Sequence, residues 1–419
     1  IADTGAVTWG NGAGGTAGAV TAANSIVGTT ASDNLGSGGV TALSSGNFVV
    51  ASPLWDNFDA FTPNVGAAMW ADGLGGTVGA VTAARALVGS TLGDQVGSGG
   101  VVELANGNYV VVSPAWNNGG VISAGAVTWG DGAAGRTGVV DPANSLVGDT
   151  ANDLVGSFGV TALSNGNYVI ASPLWDDLAV VDAGAATWGD GAAGSIGVIA
   201  AGNSLAGTTP GDQVASGGVA ALTNGNYVVL SPLWDDGNTF DAGAATWGDG
   251  AVGTSGAVTA ANSQVGSRPN DQVGSGGAAA LSNGNYVTAS PSWDNGGIVD
   301  AGAATWGDGA TGSSGVVSAA NSLVGSTAGD QIGFGGVTAL ANANYVVASP
   351  LFDSAGIVDA GAATWASGIA ATATAVSSAN SLVGATPNDQ VAAGGVTALT
   401  NGNYVVVSPV WINGVVDRA

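Results

Sequence analysis

Cysteine, histidine and lysine are absent from the 419 residues, and Arg85, Arg136, Arg268 and Arg418 carry all the basic charge. Without cysteine there is no disulfide framework, no thiolate nucleophile and no zinc–sulfur centre, and the redox compartment leaves no mark on the sequence. Without histidine or lysine, neither a histidine-based nor a lysine-based proton relay can be built. Twenty-nine acidic residues bring the formal charge to −25. Nucleic acid and anionic membranes, both bound chiefly through Lys and Arg, are excluded as partners, which leaves cations, neutral sugars and other proteins. Charged residues make up 8% of the chain, too few for a disordered acidic tail or a coiled coil. No 18-residue apolar run stands ready to cross a membrane as a helix. The first residue is Ile1, so the expectation is a mature or excised part of a longer polypeptide.

What is abundant is glycine, at 75 residues, together with small apolar residues and 13 tryptophans. The tryptophans fall into two classes locked to one period of about 59 residues. The first stands in T-W-G-like contexts at Trp9, Trp70, Trp129, Trp188, Trp247, Trp306 and Trp365. The second follows Ser-Pro-x at Trp55, Trp116, Trp175, Trp234, Trp293 and Trp411, with Phe352 replacing it once. The tyrosines keep the same period in N-Y-V, at Tyr109, Tyr168, Tyr227, Tyr286, Tyr345 and Tyr404, with Phe48 in the first copy. An aromatic repeated in phase belongs to the packing of each unit, because a repeated core needs the same plug each time.

One copy reads as four short strands: Val219 to Leu222, Tyr227 to Pro232, Ala242 to Trp247 and Gly256 to Val265. Asn224-Gly225 between two apolar runs signals an antiparallel hairpin, since both central residues of the favoured two-residue turn need positive φ. Gly, Asn and Asp clusters separate the strands and no helical period intervenes, so the fold class is all-β. Four strands in each of seven copies predict a single domain over residues 1–419, a seven-bladed β-propeller of four-stranded antiparallel blades. The ends of the chain share one phase of the repeat, with Asp417-Arg418-Ala419 standing where Asp300-Ala301-Gly302 stand earlier. This predicts a ring closed by N- and C-terminal strands sharing one blade, which would abolish free edges. The alternative is a parallel β-helix or solenoid, with each repeat making about three coils.

The strings Asn224-Gly225-Asn226-Tyr227-Val228-Val229, Ser231-Pro232-x-Trp234-Asp235, Thr246-Trp247-Gly248-Asp249-Gly250 and Asn262-Ser263-x-Val265-Gly266 resemble the tandem repeats of very large bacterial surface proteins described as filamentous-haemagglutinin-like or adhesin-like. The resemblance covers essentially the whole chain and implies a secreted or cell-surface address, without implying a chemistry. Copies depart from the pattern at Phe58-Asp59-Ala60-Phe61-Thr62 and at Ser367-Gly368-Ile369.

Three chemistries remain for these residue types. A glycosidase needs two carboxylates, which Asp235 with Asp249 or Asp271 could supply, but aspartates that recur in every copy serve a turn or a multivalent site rather than one asymmetric centre. Glu103, the sole glutamate, has no repeat equivalent and reads as a solvated strand end. Calcium is the one cofactor the pattern admits. Asp33, Asp94, Asp153, Asp212, Asp271, Asp330 and Asp389 sit in Gly-rich turns, yet the spacing of a calcium loop is missing and Asp readily bonds its own backbone in such turns.

Sugar binding is the sharper expectation. The pairs Trp55-Asp56, Trp116-Asn117, Trp175-Asp176, Trp234-Asp235 and Trp293-Asp294, with Trp411 in the last copy, would offer a flat face and hydroxyl acceptors. Repeated weak sites would add through avidity. The competing reading buries these tryptophans between neighbouring units, with the aspartate capping a turn. The reading as a whole is a non-catalytic extracellular adhesion or structural module with glycans or other surface proteins as partners. A passive scaffold or filament subunit of a surface layer is the alternative.

Overall fold

The structure is a computed structural model that describes residues 1–57 and 62–412. The pattern departure at 58–61 and the closing Asp417-Arg418-Ala419 lie outside the described residues. Among those described, the regular structure is all β-strand, without a helix.

Two compact units emerge, Ile1–Ala206 with Gly253–Gly256, and Gly207–Val252 with Ala257–Ala419. In the second, Ala278–Ala280 pairs antiparallel with Tyr286–Ser290, and that strand pairs with Ala303–Gly307 in the register Tyr286↔Gly307 and Val287↔Trp306. Ser322–Val324 follows on the far edge, opposite Ala303–Thr305. Ala280 and Tyr286 therefore flank the Asn283-Gly284 turn that the sequence marks as a hairpin.

Alternate residues of each strand point to opposite faces, and both faces are covered. On one face Val287, Ala304 and Leu323 pack with Tyr345, Val347 and Phe352 of the following repeat. On the other, Tyr286, Trp293 and Ala303 pack with Val228, Leu230 and Ala245 of the preceding one. Within the first unit the same face-to-face packing joins Val110, Val127 and Leu146 to Tyr168, Ile170 and Trp175. Strands apolar on both faces, without polar alternation, follow from this double burial.

Hydroxyls of facing threonine and serine inside the sheets pair across strands, while the Thr288 hydroxyl has no partner among the described residues. Thr305 and Ser322 share a hydroxyl–hydroxyl bond of 2.8 Å, as do Thr246 with Ser263 and Thr187 with Ser204. This explains why threonine precedes six of the seven tryptophans of the first class and serine stands opposite it, while Met69 before Trp70 goes with Ala86: a buried hydroxyl needs a partner, and here it has another hydroxyl.

The predicted fourth strand, Gly256 to Val265, is two elements. Asn262 accepts from the Thr259 N–H through Oδ1 and donates to the Ala257 carbonyl through Nδ2, making a turn that separates Gly256–Ala257 from Ser263–Val265. Asparagine competes with the strand ladder in this way because its short side chain reaches its own backbone. The equivalent two-residue strand Gly315–Val316 leaves its own repeat and pairs parallel with Ser263–Val265 of the preceding one.

The Asn-Gly turn also differs from the two-residue type. Gly225 has φ +91°, Asn224 keeps negative φ, and the loop is closed by the Leu222 N–H to the Asn226 carbonyl at 2.8 Å. Only the glycine enters the left-handed region, so the loop is longer than the favoured hairpin turn.

The shared closing blade is not formed among the described residues. Ala6–Thr8 belongs to a three-stranded sheet with Ser25–Val27 and Gly79–Ala80, while Tyr404–Val406 belongs to a two-stranded sheet with Val396–Ala398. Every interior equivalent of Ala6–Thr8 and of Tyr404–Val406 is paired on both edges, as Ala303–Gly307 and Tyr286–Ser290 are. The antiparallel hairpins do not make the coils of a parallel β-helix, while a series of stacked, repeated small sheets fits a solenoid-like arrangement.

Candidate functional site

Each Ser-Pro-x-Trp corner is a β-turn closed by a backbone bond, such as the Trp293 N–H to the Ser290 carbonyl at 3.1 Å, with proline at the position that its fixed φ suits. Ser290 also accepts the Gly274 N–H through its hydroxyl at 3.1 Å. The turn drives the tryptophan inward. Trp55, Trp116, Trp175, Trp234 and Trp293 are 2–3% exposed, and the replacement Phe352 is buried equally. Their flat faces are covered by neighbouring side chains, so the corner does not present them to a sugar. Their indole N–H groups have no protein acceptor. Trp411, near the end of the described residues, is 52% exposed.

The aspartate beside each tryptophan is engaged by the backbone. Asp294 Oδ1 accepts the Asp300 N–H at 2.9 Å, Asp235 the Asp241 N–H at 2.8 Å, Asp176 the Asp182 N–H at 2.7 Å, and Asp56 the Asn64 N–H at 2.7 Å. Asn117 takes the same place by accepting the Ser123 N–H and donating to Asp94.

The backbone N–H of this same residue donates to the aspartate that the sequence marks as a calcium candidate. Asp271 Oδ1 accepts from the Asp294 N–H at 3.0 Å, and its Oδ2 accepts from Ser267 at 2.7 Å and Arg268 at 2.9 Å. Asp33, Asp94, Asp153, Asp212, Asp330 and Asp389 repeat the arrangement and are fully buried. These carboxylates pin two segments about 23 residues apart, from Asp271 to Asp294 in this copy. Among the described residues no cluster of three or more potential ligands could hold a metal.

Burial pushes the Asp153 carboxyl up to about 6, against its backbone donors, and raises Asp271 and Asp330 in the same direction. At Asp389, burial also acts upward, but the Thr386 hydroxyl and the N–H groups of Ile412, Thr386 and Ala385 outweigh it and hold the carboxyl at about 2. Of the carboxylates considered for glycoside hydrolysis, Asp249 accepts the Ala251 N–H at 2.8 Å, while Asp235 and Asp271 are engaged as above. Glu103 reaches back to accept the Ser44 N–H of the preceding repeat, so it is a contact between repeats rather than a solvated strand end.

The arrangement that the sequence reading misses is a latch between repeats. The carbonyl oxygen of Gly309 accepts three bonds from the preceding repeat: Asn224 Nδ2 at 2.7 Å, Asn226 Nδ2 at 2.8 Å and Trp247 Nε1 at 2.9 Å. Gly191 receives the same three from Asn106, Asn108 and Trp129, and Gly368 from Asn283, Asn285 and Trp306. The Gly309 N–H in turn donates to Asn285 of its own repeat. Glycine is required because a Cβ on Gly309 would overlap the Gly284 carbonyl. Three residues further on, Gly312, with φ +79°, lies flat against the ring of Trp247. The signal in the sequence is the second asparagine of N-G-N, which a hairpin turn does not need.

A fold of short, repeated antiparallel sheets, with matching latches between neighbouring repeats inside each compact unit, defines a tandem-repeat all-β protein. The chain belongs to a family described as a repeat of unknown function (DUF5650), which matches residues 1–37, 42–98, 103–157, 162–216, 221–275, 280–334, 339–393 and 398–419. Nothing in that match ties the repeats to filamentous-haemagglutinin-like adhesins. Comparison with curated proteins gives no match. Among the described residues no helix is long and apolar enough to cross a membrane.

Proposed function

We propose that the chain is a non-catalytic structural module, a scaffold unit of an extracellular layer or matrix, built as a solenoid-like series of sheets. The observation that carries this reading is the commitment of the corner residues. In copy after copy the tryptophan is in the core and its neighbouring aspartate accepts a backbone N–H, as with Trp234 and Asp235. A catalytic centre needs one asymmetric set of groups able to touch a substrate, and a lectin corner needs an open ring face. Repetition of a buried network engaged by the backbone serves stacking instead. The extracellular address is supported by the absence of lysine, which removes most tryptic cleavage points, and by an acidity that favours solubility.

The test is a glycan array and a panel of glycoside substrates applied to the full chain. The expected result is neither retention nor turnover. Glycan binding that Trp234→Phe abolishes, without loss of fold by circular dichroism, would overturn the reading and restore the corner as a sugar site.

A further inference from the structure

One apolar side chain stands in the open at the same place in successive repeats. In the second unit it is Phe240, Val299 and Val358, 66%, 56% and 54% exposed. Each lies in the loop between the two long central strands, as Val299 does between Tyr286–Ser290 and Ala303–Gly307. The loop is braced. Asn295 and Ile298 exchange backbone bonds in a tight turn, and the adjoining loop donates the Gly329 N–H to the Val299 carbonyl at 3.1 Å. Phe240 and Val358 accept from Asn270 and Asn388 at 3.0 Å in the same way, which sets the exposed Pro269 and Pro387 beside them. Exposed apolar residues scattered singly need no explanation, but these recur in phase. The three sheets that carry them pack face to face, through Val228 and Leu230 against Tyr286 and Trp293, and through Val287 and Leu323 against Tyr345 and Val347. Packed sheets lie about 10 Å apart, so the three side chains form a row with steps of about that length.

A carboxylate that the turn does not require follows each step of the row. Asp241, Asp300 and Asp359 come directly after the three apolar residues, half-buried, with φ +49°, +50° and +49°. The fold takes their backbone N–H groups, donated to Asp235, Asp294 and Asp353. Asn64 and Ser123 hold the same position in two other repeats with φ +49° and +51°, so the conformation needs no charge. Arg268, in the loop beside Phe240, is balanced in charge by a third aspartate there, Asp236, and Thr327 and Thr386 replace the arginine in the next two repeats. The row is acidic at every step.

We propose that the row of Phe240, Val299 and Val358 is a docking surface for a partner that presents a basic amphipathic α-helix. Apolar residues seven apart on a helix rise about 10.5 Å per step and meet the row in register. Lysine or arginine three or four residues further on shares that helix face and meets Asp241, Asp300 and Asp359. A helix suits the surface because its backbone satisfies itself, and the carbonyls of the row are already taken by Asn270, Gly329 and Asn388. A second, equally acidic copy of the chain and an anionic membrane are both repelled by the same carboxylates. Ile122-Ser123 and Val181-Asp182 carry a weaker version in the first unit, with an aspartate at only one of the two steps. The inference goes beyond the scaffold reading by giving the module a partner, and neither outcome of the glycan test bears on it.

The experiment titrates the full chain into a fluorescein-labelled peptide of about 22 residues, with leucine at every seventh position, lysine three and four residues on, and alanine elsewhere. Anisotropy reads the binding and circular dichroism the peptide's conformation. The expected result is saturable binding that weakens as salt is added, with a gain of helix in the peptide. The triple variant Phe240→Ser, Val299→Ser, Val358→Ser is expected to weaken binding about tenfold or more, since it removes the apolar contact at every step. Asp300→Asn with Asp359→Asn keeps the turn, as Asn64 shows, and is expected to weaken binding roughly fivefold and to flatten its salt dependence. No binding, or binding that either variant leaves unchanged, would overturn the proposal. Equal binding of a peptide with glutamate for lysine or with its leucines moved out of register, or binding without a gain of helix, would overturn it as well.

Discussion

Trp129 donates its indole N–H to the carbonyl oxygen of Gly191, 2.9 Å away and one repeat further along the chain. Asn106 and Asn108 converge on the same oxygen. A carbonyl has two lone pairs, so three donors share it, and the backbone there is fixed from one side by a neighbouring repeat. Stability in this protein is thus coupled from repeat to repeat, and the predictions below test how.

Removing part of a latch should loosen one interface without undoing its neighbours. Asn224→Ala deletes one bond to Gly309 and is expected to cost about 1 kcal/mol, the usual net worth of such a bond. Asn226→Ala should cost more, because Asn226 also accepts the part-buried Gly250 N–H 24 residues away, whereas the second bond of Asn224 is an exposed one from the Asn226 N–H within its own turn. Urea unfolding of both variants against the parent measures the order.

Closing the space under the latch should be worse than removing a donor. Gly309→Ala drives a Cβ into the Gly284 carbonyl, backbone against backbone, with no flexible side chain to yield. The expected loss is about 3 kcal/mol or more, as for other overpacked sites. Thermal unfolding followed by tryptophan fluorescence gives the comparison with Asn224→Ala.

The corner tryptophan should behave as a core residue. Trp234→Ala empties a large buried volume and is expected to cost about 3–5 kcal/mol. Trp234→Phe should cost much less, since Phe352 fills the same position in another repeat and the indole N–H has no acceptor to lose. Equal losses for the two substitutions in calorimetry would show that the N–H has a partner.

Stability should fall as pH rises from about 4 to about 6. Burial raises the Asp153 carboxyl to about 6 from an ordinary value near 3.8, and shifts Asp271 and Asp330 the same way. Over that window the folded chain holds more protons than the unfolded one, so the contribution is present below the unfolded value and lost as pH passes the folded one. The −25 charge acts in the same direction through self-repulsion. Asp389, held at about 2, opposes this only below its ordinary value. Melting temperatures at pH 4.5 and pH 7 settle the sign, and a higher value at pH 7 would contradict it.

The period and the all-β class could be read from the sequence, because each depends on local spacing and residue type. Tyr286 and Trp293 recur in phase since every repeat must fill the same space. The Thr223–Asn226 turn was legible as a turn for the same local reason. Its second role was not, because Asn224 and Asn226 bond a glycine 85 and 83 residues away, and no local pattern encodes an acceptor at that distance. Burial of Trp234 and the engagement of Asp235 by Asp241 were likewise decided by which neighbour covers the corner. The shared closing blade is the expectation that the strand pairing does not show among the described residues: matching phase makes two strands complementary, but which edges meet depends on more than phase. Sequence alone determined what each repeat would be, since that follows from period and composition. Tertiary structure decided what each repeat holds on to, since the hydrogen bonds that matter run between repeats.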